Sequence, residues 1–254
     1  MANQANYTLS NFKVSTQDII YYFNSIVKGK QFYNDLKSIL KVGINDMSLF
    51  PNIRLHDYET YKDYLNKWVK GYVDATQNPP SLRAASPKGS CSDPAIQKIV
   101  QIATNSTDQQ AATLSAYHNL FMSAENIQGN LLEEYISKKI HPYGWIWCNG
   151  NVLRAVDFCS ADGTCLLQVK NKSNTENSSS SAIRTGTTIQ KWYRLGTRIV
   201  NGINYPSYKW DALNIIINSH VPSRVNPDCN MSENDYLVFL TQVATNNKQI
   251  ITYK

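Results

Sequence analysis

Charge is what this chain has least of: Asp, Glu, Lys and Arg make up 17 % of its 254 residues, against about a quarter in an ordinary soluble domain. Uncharged polar groups fill the gap, with 27 asparagines against 11 glycines. No stretch approaches the ~20 consecutive apolar residues that a membrane span needs. The opening MANQANYTLSNF has neither the basic start nor the apolar core of a signal peptide. A soluble cytoplasmic protein is the expectation. Five cysteines (Cys91, Cys148, Cys159, Cys165 and Cys229) are odd in number and form no CxxC, and the four histidines are scattered. That spells out neither a disulfide framework nor a zinc site. Internal repeats are absent. A net charge of +6 permits a polyanionic partner without requiring one.

With 42 % apolar residues, the chain can bury a core. Its first 140 residues carry apolar residues at helical spacing. Ile19, Ile20, Phe23, Ile26 and Val27 form one stripe. Phe32, Leu36, Ile39 and Leu40 form the next, with Gly43 as its stop, and Tyr61, Leu65, Trp68, Val69 and Tyr72 a third. Residues 78–94, rich in Pro, Ser and Gly, read as a loop. Asp93-Pro94 then caps and opens a short helix, and a long helical pattern runs from Thr113 to Ile140.

Beyond Ile140 the period changes. Residues 145–148, 152–158 and 164–170 read as strands, a helix is expected near 183–199, and strands again at 212–218 and 236–243. The order implies α+β or α/β with one mixed sheet. The division expected is a helical region over 1–110 and a sheet-bearing core over 111–254.

Between Val152 and Lys170, Asp162-Gly163 is a hairpin signal, since a type I′ turn needs positive φ at both central residues. With those two as the loop, Asp157 faces Gln168 and Ala155 faces Lys170. Gln168 and Lys170 share a side by alternation. A carboxylate and an amide oxygen suit Mg²⁺, and Lys170 can set a positive charge beside an attacking water. Such a group suits phosphodiester hydrolysis; a solvated hairpin face remains the alternative. Upstream, GNLLEEYI sets Gly129 and Glu133 on one helical stripe, with Gly129 expected to let the helix approach the sheet. Glu133 is a third acid, and Glu134 the alternative.

Downstream, residues 171–200 are dense in amides and hydroxyls with basic residues interleaved. Such groups contact phosphate oxygens and base edges. The expected DNA contacts are Lys172, Asn174, Asn177, Ser180, Ser181, Arg184, Thr185, Thr187, Lys191 and Arg194, with Ser178 and Ser179 in the same run. From Lys170 to Arg198 there are six basic residues and one acid, Glu176, and Arg154 lies just upstream. The positive charge is gathered where the chemistry is expected.

Asp157, ten residues and then Gln168-Val169-Lys170 resemble the PD-(D/E)xK nuclease core, with GNLLEEYI similar to its preceding Glu-bearing helix. The run LLQVKNKSNTENSSSSAIRTGTTIQKWYR resembles the signature of SinI/AvaII-type restriction endonucleases; the likeness covers roughly residues 125–200. Val156 stands where the motif has Pro, and Gln168 where it has a second acid, which removes one negative charge from the site. The resemblance implies a central mixed sheet flanked by helices, with Asp157, Gln168 and Glu133 as metal and catalytic residues and Lys170 as the catalytic lysine. It also implies Mg²⁺ as cofactor, a GGWCC-like target in double-stranded DNA, a bacterial cytoplasmic homodimer and a cognate methyltransferase. A structure-selective repair or recombination nuclease of the same fold, or a decayed DNA-binding module, are the alternatives.

Overall fold

Ser15 caps the first helix, α1 (Thr16–Val27), its hydroxyl accepting from Asp18 N, and Ile19, Phe23 and Val27 turn inward at spacings of four. The computed structural model describes residues 4–84, 93–172, 186–221 and 227–251. Helix α2 (Tyr33–Asn45) runs through Gly43 instead of stopping there. That glycine is needed for packing, because a Cβ on it would collide with the Phe50 ring. A two-stranded ribbon, β1 (Gln4–Tyr7) against β2 (Ile53–His56), precedes α3 (Tyr61–Gln77). Asp93 caps α4 (Pro94–Thr104) by accepting from Ala95 N, with Pro94 as its first residue. Thr107 and Gln110 form the capping box of α5 (Asp108–Ile140).

Five strands form the main sheet in the order β3 (Trp145–Trp147), β4 (Phe158–Ser160), β5 (Leu166–Lys172), β6 (Ile189–Val200) and β7 (Ile203–Tyr208). Only β5 and β6 are parallel, so the sheet is mixed. Alternation along β5 sends Leu166 into one apolar cluster and Leu167 and Val169 into another. The first cluster joins this face to α1, α2 and α3, taking residues from both sides of the boundary expected near 110. The second joins the opposite face to α5, α6 (Trp210–Ser219) and α7 (Glu233–Asn246). The expected α/β class with a helix-flanked mixed sheet is the one observed.

The C-terminal third differs from its sequence reading. Residues 189–199, expected helical, are strand β6, turned back by Asn201-Gly202. Both turn residues have positive φ (+50° and +77°), as a two-residue hairpin loop requires. The two segments expected as strands are helices α6 and α7. Trp210, Leu213, Asn214 and Ile217 are buried on α6, and Tyr236 and Val243 on α7, at helical spacing. A β-branched run such as Ile215-Ile216-Ile217 is ambiguous by itself, and the sheet's uncovered face decides it. Among the described residues no helix is long and apolar enough to cross a membrane. Cys148, Cys159, Cys165 and Cys229 are buried and unpaired.

Candidate active site

The β4–β5 hairpin sets the site. Phe158 pairs with Leu167 and Cys159 with Leu166, the register expected from sequence. Its loop differs: Gly163 has φ +76° and Asp162 does not share it. Residues 161–164 make a four-residue connection in which Gly163 N donates to Ser160 O at 2.8 Å. The Asp162 carboxylate accepts from Ser160 Oγ, Thr164 N and Thr164 Oγ1, which fixes that conformation. A four-residue loop has the same centre as a two-residue one, so the register is unaltered. The ladder ends at Phe158, and the Ala155–Lys170 pair does not form.

Asp157 leaves the ladder just before the strand, and the expected Asp157–Gln168 pair does not form. Its N–H donates to Leu167 O at 2.9 Å, and its Oδ2 accepts from Val169 N at 2.7 Å. One carboxylate oxygen is thus anchored to the β5 backbone. Burial raises the Asp157 pKa, while the Val169 N–H and the Lys170 ammonium pull it down. Gln168 is half-buried and Lys170 exposed on the same side of β5. On the neighbouring parallel strand, Lys191 lies in register with Gln168 and Tyr193 with Lys170.

Helix α5 supplies the opposing carboxylate. Trp147 Nε1 donates to Glu133 Oε2 at 3.4 Å. Burial first, then the nearby Asp157 charge, pushes the Glu133 pKa up to about 8, against the pull of Trp147 and Lys170. Glu134 points elsewhere. It is 1 % exposed and accepts from Ser81 N (2.7 Å), Ser81 Oγ (2.6 Å) and Lys138 Nζ (2.7 Å), tying α5 to the loop after α3. Gly129 does not act as a close-approach residue, since a Cβ there would meet nothing within 4 Å.

Asp157, Lys170 and Glu133 therefore come together, and Gln168 lies two residues before Lys170 on the same side of β5. Two desolvated carboxylates, with the Asp157 charge adding to the burial that raises the Glu133 pKa, are oxygen donors suited to a hard divalent cation. A site of three or more His, Cys, Asp or Glu is absent among the described residues, which agrees with Gln168 replacing an acid.

The expected DNA contacts divide. Lys172 is exposed and paired with Glu125 at 3.1 Å. Thr187 is exposed, and Lys191 sits beside Gln168. Arg194 is 7 % exposed: its Nε donates to Asn171 Oδ1 at 2.9 Å, its guanidinium pairs with Glu233, and it lies against the Tyr208 and Tyr236 rings. It is a core residue here rather than a DNA-facing one, because its side chain points to the α7 side of the sheet. Asn174, Asn177, Ser178, Ser179, Ser180, Ser181, Arg184 and Thr185 lie outside the described residues. Trp147 was missed, since nothing local marks an indole as partner to a helix Glu 14 residues earlier.

Residues 61–218 match the family model described as SinI restriction endonuclease. The type II restriction enzyme Eco47I of Escherichia coli is 42 % identical over 130 residues, 49 % of this chain and 56 % of that protein. The type II restriction enzyme SinI of Salmonella infantis is 39 % identical over 127 residues, 48 % of this chain and 55 % of that one. The chain spans about half the length of these curated relatives. The family match runs from α3 into α6 and contains every residue of the cluster just described.

Proposed function

The chain belongs to the SinI restriction endonuclease family, and from that premise we propose that it is a Mg²⁺-dependent endonuclease cutting double-stranded DNA at a GGWCC-like site. The observation that carries the reading is the Asp157 carboxylate anchored on the β5 backbone at Val169 N, with the Glu133 carboxylate and Lys170 within electrostatic reach of it. Asp157, Glu133 and the Gln168 oxygen would hold the cation. When bound, Mg²⁺ lowers the pKa of a water and stabilises charge on phosphate. Lys170 holds a positive charge where the water attacks the phosphodiester. Lys191, Lys172 and Thr187 flank that position, and the Asn/Ser/Arg run over 173–185 would supply base and phosphate contacts.

Digesting plasmid DNA with and without Mg²⁺, then sequencing the ends, tests this directly. Cuts confined to GGACC and GGTCC are expected, and only with the cation. Scattered or structure-dependent cuts would favour a repair nuclease. Gln168 favours a second reading, a DNA-binding module with a decayed site; binding without cleavage in any divalent cation would establish it. A five-base-pair target recurs throughout any genome, so a methyltransferase protecting that site belongs to the proposal, as does a place in the bacterial cytoplasm, where the DNA is.

A nearly palindromic target calls for two copies, one per strand. The arm formed by α4 and the first half of α5 supports this. Helix α4 buries no residue and leaves Ile96, Ile99 and Ile102 exposed, and α5 exposes Leu114, Tyr117, Phe121 and Met122. Residues 94–124 carry only two ionised side chains, Lys98 and Asp108, so the arm has no net charge to draw a polyanion. Seven large apolar side chains, each 45 % or more exposed, are the kind of surface that a protein interface covers. A second copy is the occupant that such a neutral, self-complementary face fits. Ile99→Asp combined with Phe121→Asp should halve the mass seen by sedimentation; an intact dimer would place the interface elsewhere.

A further inference from the structure

The chain reaches Asp157 through a loop whose backbone is unusual. Gly150, Asn151 and Ala155 have φ of +76°, +56° and +59°, and the last is a conformation that alanine rarely adopts. Several contacts hold the loop there. Trp68 Nε1 donates to Val152 O at 2.8 Å, and Arg154 N donates to Leu49 O at 2.7 Å. Cys148 N donates to Asp157 O at 2.9 Å, and a Cβ on Gly150 would run into the Gly71 carbonyl. Val152, Leu153 and Val156 are buried.

Arg154 turns outward from this bracket. Its side chain is exposed, and no hydrogen bond or ion pair holds the guanidinium among the described residues. It lines a cavity of about 560 Å³ to which Ser48, Asn52, Asn151 and Thr187 also contribute, and no carboxylate lines it. Ile189, another lining residue, pairs with Leu166, on the side of β5 that carries Gln168 and Lys170. The cavity therefore adjoins the candidate active site along one face of the sheet.

Strained backbone persists where its surroundings over-determine it, and it gathers at ligand sites. Here the strained loop brings Arg154, unpaired among the described residues, to a cavity lined by amide and hydroxyl groups; Asp46 stands behind one of them, accepting from Ser48 Oγ at 2.6 Å. Guanidinium, amide and hydroxyl groups are those that bind phosphate oxygens. We propose that this cavity is a subsite for the DNA backbone, with Arg154 as its anchoring cation, holding a phosphate close to the one that is cut. Three residues span at most about 10 Å, about three base steps at 3.4 Å each, so Arg154 serves a phosphate within about three nucleotides of the one that Asp157 faces. The subsite rests on the endonuclease reading and adds to it a residue that fixes register on the duplex.

The test uses the full chain and a fluorescein-labelled duplex containing GGACC, with Ca²⁺ present to limit turnover, and follows anisotropy over a series of salt concentrations. Arg154→Ala should weaken binding about tenfold and make the slope of log K against log salt shallower by about 0.9, the loss of one phosphate contact. Arg154→Lys, which keeps the charge, should hold the parental slope. That pair of results separates a lost contact from a damaged loop. An unchanged slope in Arg154→Ala, with the parent binding and cutting normally, overturns the subsite alone. A parent that neither binds nor cuts duplex DNA overturns the endonuclease reading, and the subsite with it.

Discussion

Glu133→Gln should abolish cleavage, by roughly a hundredfold or more, and at the same time make the protein more stable at alkaline pH. Both effects follow from the carboxylate that α5 presses against Asp157. Burial and the Asp157 charge push its pKa up to about 8, from an ordinary value of 4.5. Between those values the folded state binds more protons than the unfolded one, so stability falls as pH rises through that window. Glutamine keeps the shape of the protonated acid and removes the titration. The two proteins should melt together near pH 4.5 and separate by on the order of 4 kcal/mol at pH 8. Mg²⁺ should raise the parental melting temperature at pH 8 more than that of the variant. Parallel pH–stability curves would show that Glu133 carries no such strain. A stabilised variant that still cuts DNA would make it a buried acid outside the chemistry.

The choice between Glu133 and Glu134 shows where sequence reasoning ran out. Adjacent helical residues point about 100° apart, and which one meets the sheet depends on how α5 docks. Ser81 and Lys138 take Glu134, and Asp157 is left facing Glu133. The register of the β4–β5 hairpin was legible because it depends only on the centre of the loop, which survived a wrong turn type; the Asp157–Gln168 pair read from it does not form, because the ladder ends at Phe158 and Asp157 N turns to Leu167 O. Asp162-Gly163 was read as a tight turn, yet Asp162 spends its carboxylate on three local donors and keeps an ordinary φ. The two-residue turn is at Asn201-Gly202, an equally plain signal, overlooked because the preceding residues were read as helix. Helices α1, α2, α3 and α5 were legible from apolar spacing. For α6 and α7, short β-branched or aromatic runs fit either period until the sheet face they cover is known.

Arg194→Met separates two roles that the sequence could not. As one of a row of basic residues after Lys170, Arg194 was expected to touch DNA. In that role its loss would leave the melting temperature alone and make the salt slope of binding shallower by about 0.9. Its surroundings predict the opposite. The guanidinium is held by Glu233 and Asn171 and lies 5.5 Å and 5.3 Å from the Tyr208 and Tyr236 ring centres. Trp210 Nε1 donates to the same Glu233 at 2.8 Å. Removing the cation leaves Glu233, 16 % exposed, with only that indole to compensate its charge, a loss of about 3–5 kcal/mol. For a chain of this size that lowers the melting temperature by roughly 10 °C. Binding at a temperature where both proteins are folded should keep the parental salt slope. Adding Glu233→Gln to Arg194→Met removes the stranded charge and should restore part of the stability, whereas unrelated sites would simply add their losses. Asn171 follows Lys170 directly on β5 and also accepts from Gln128 of α5 at 3.0 Å. The clamp thus ties the strand that carries the lysine to the helix that carries Glu133, and loosening it should lower the cleavage rate without changing which sequence is cut.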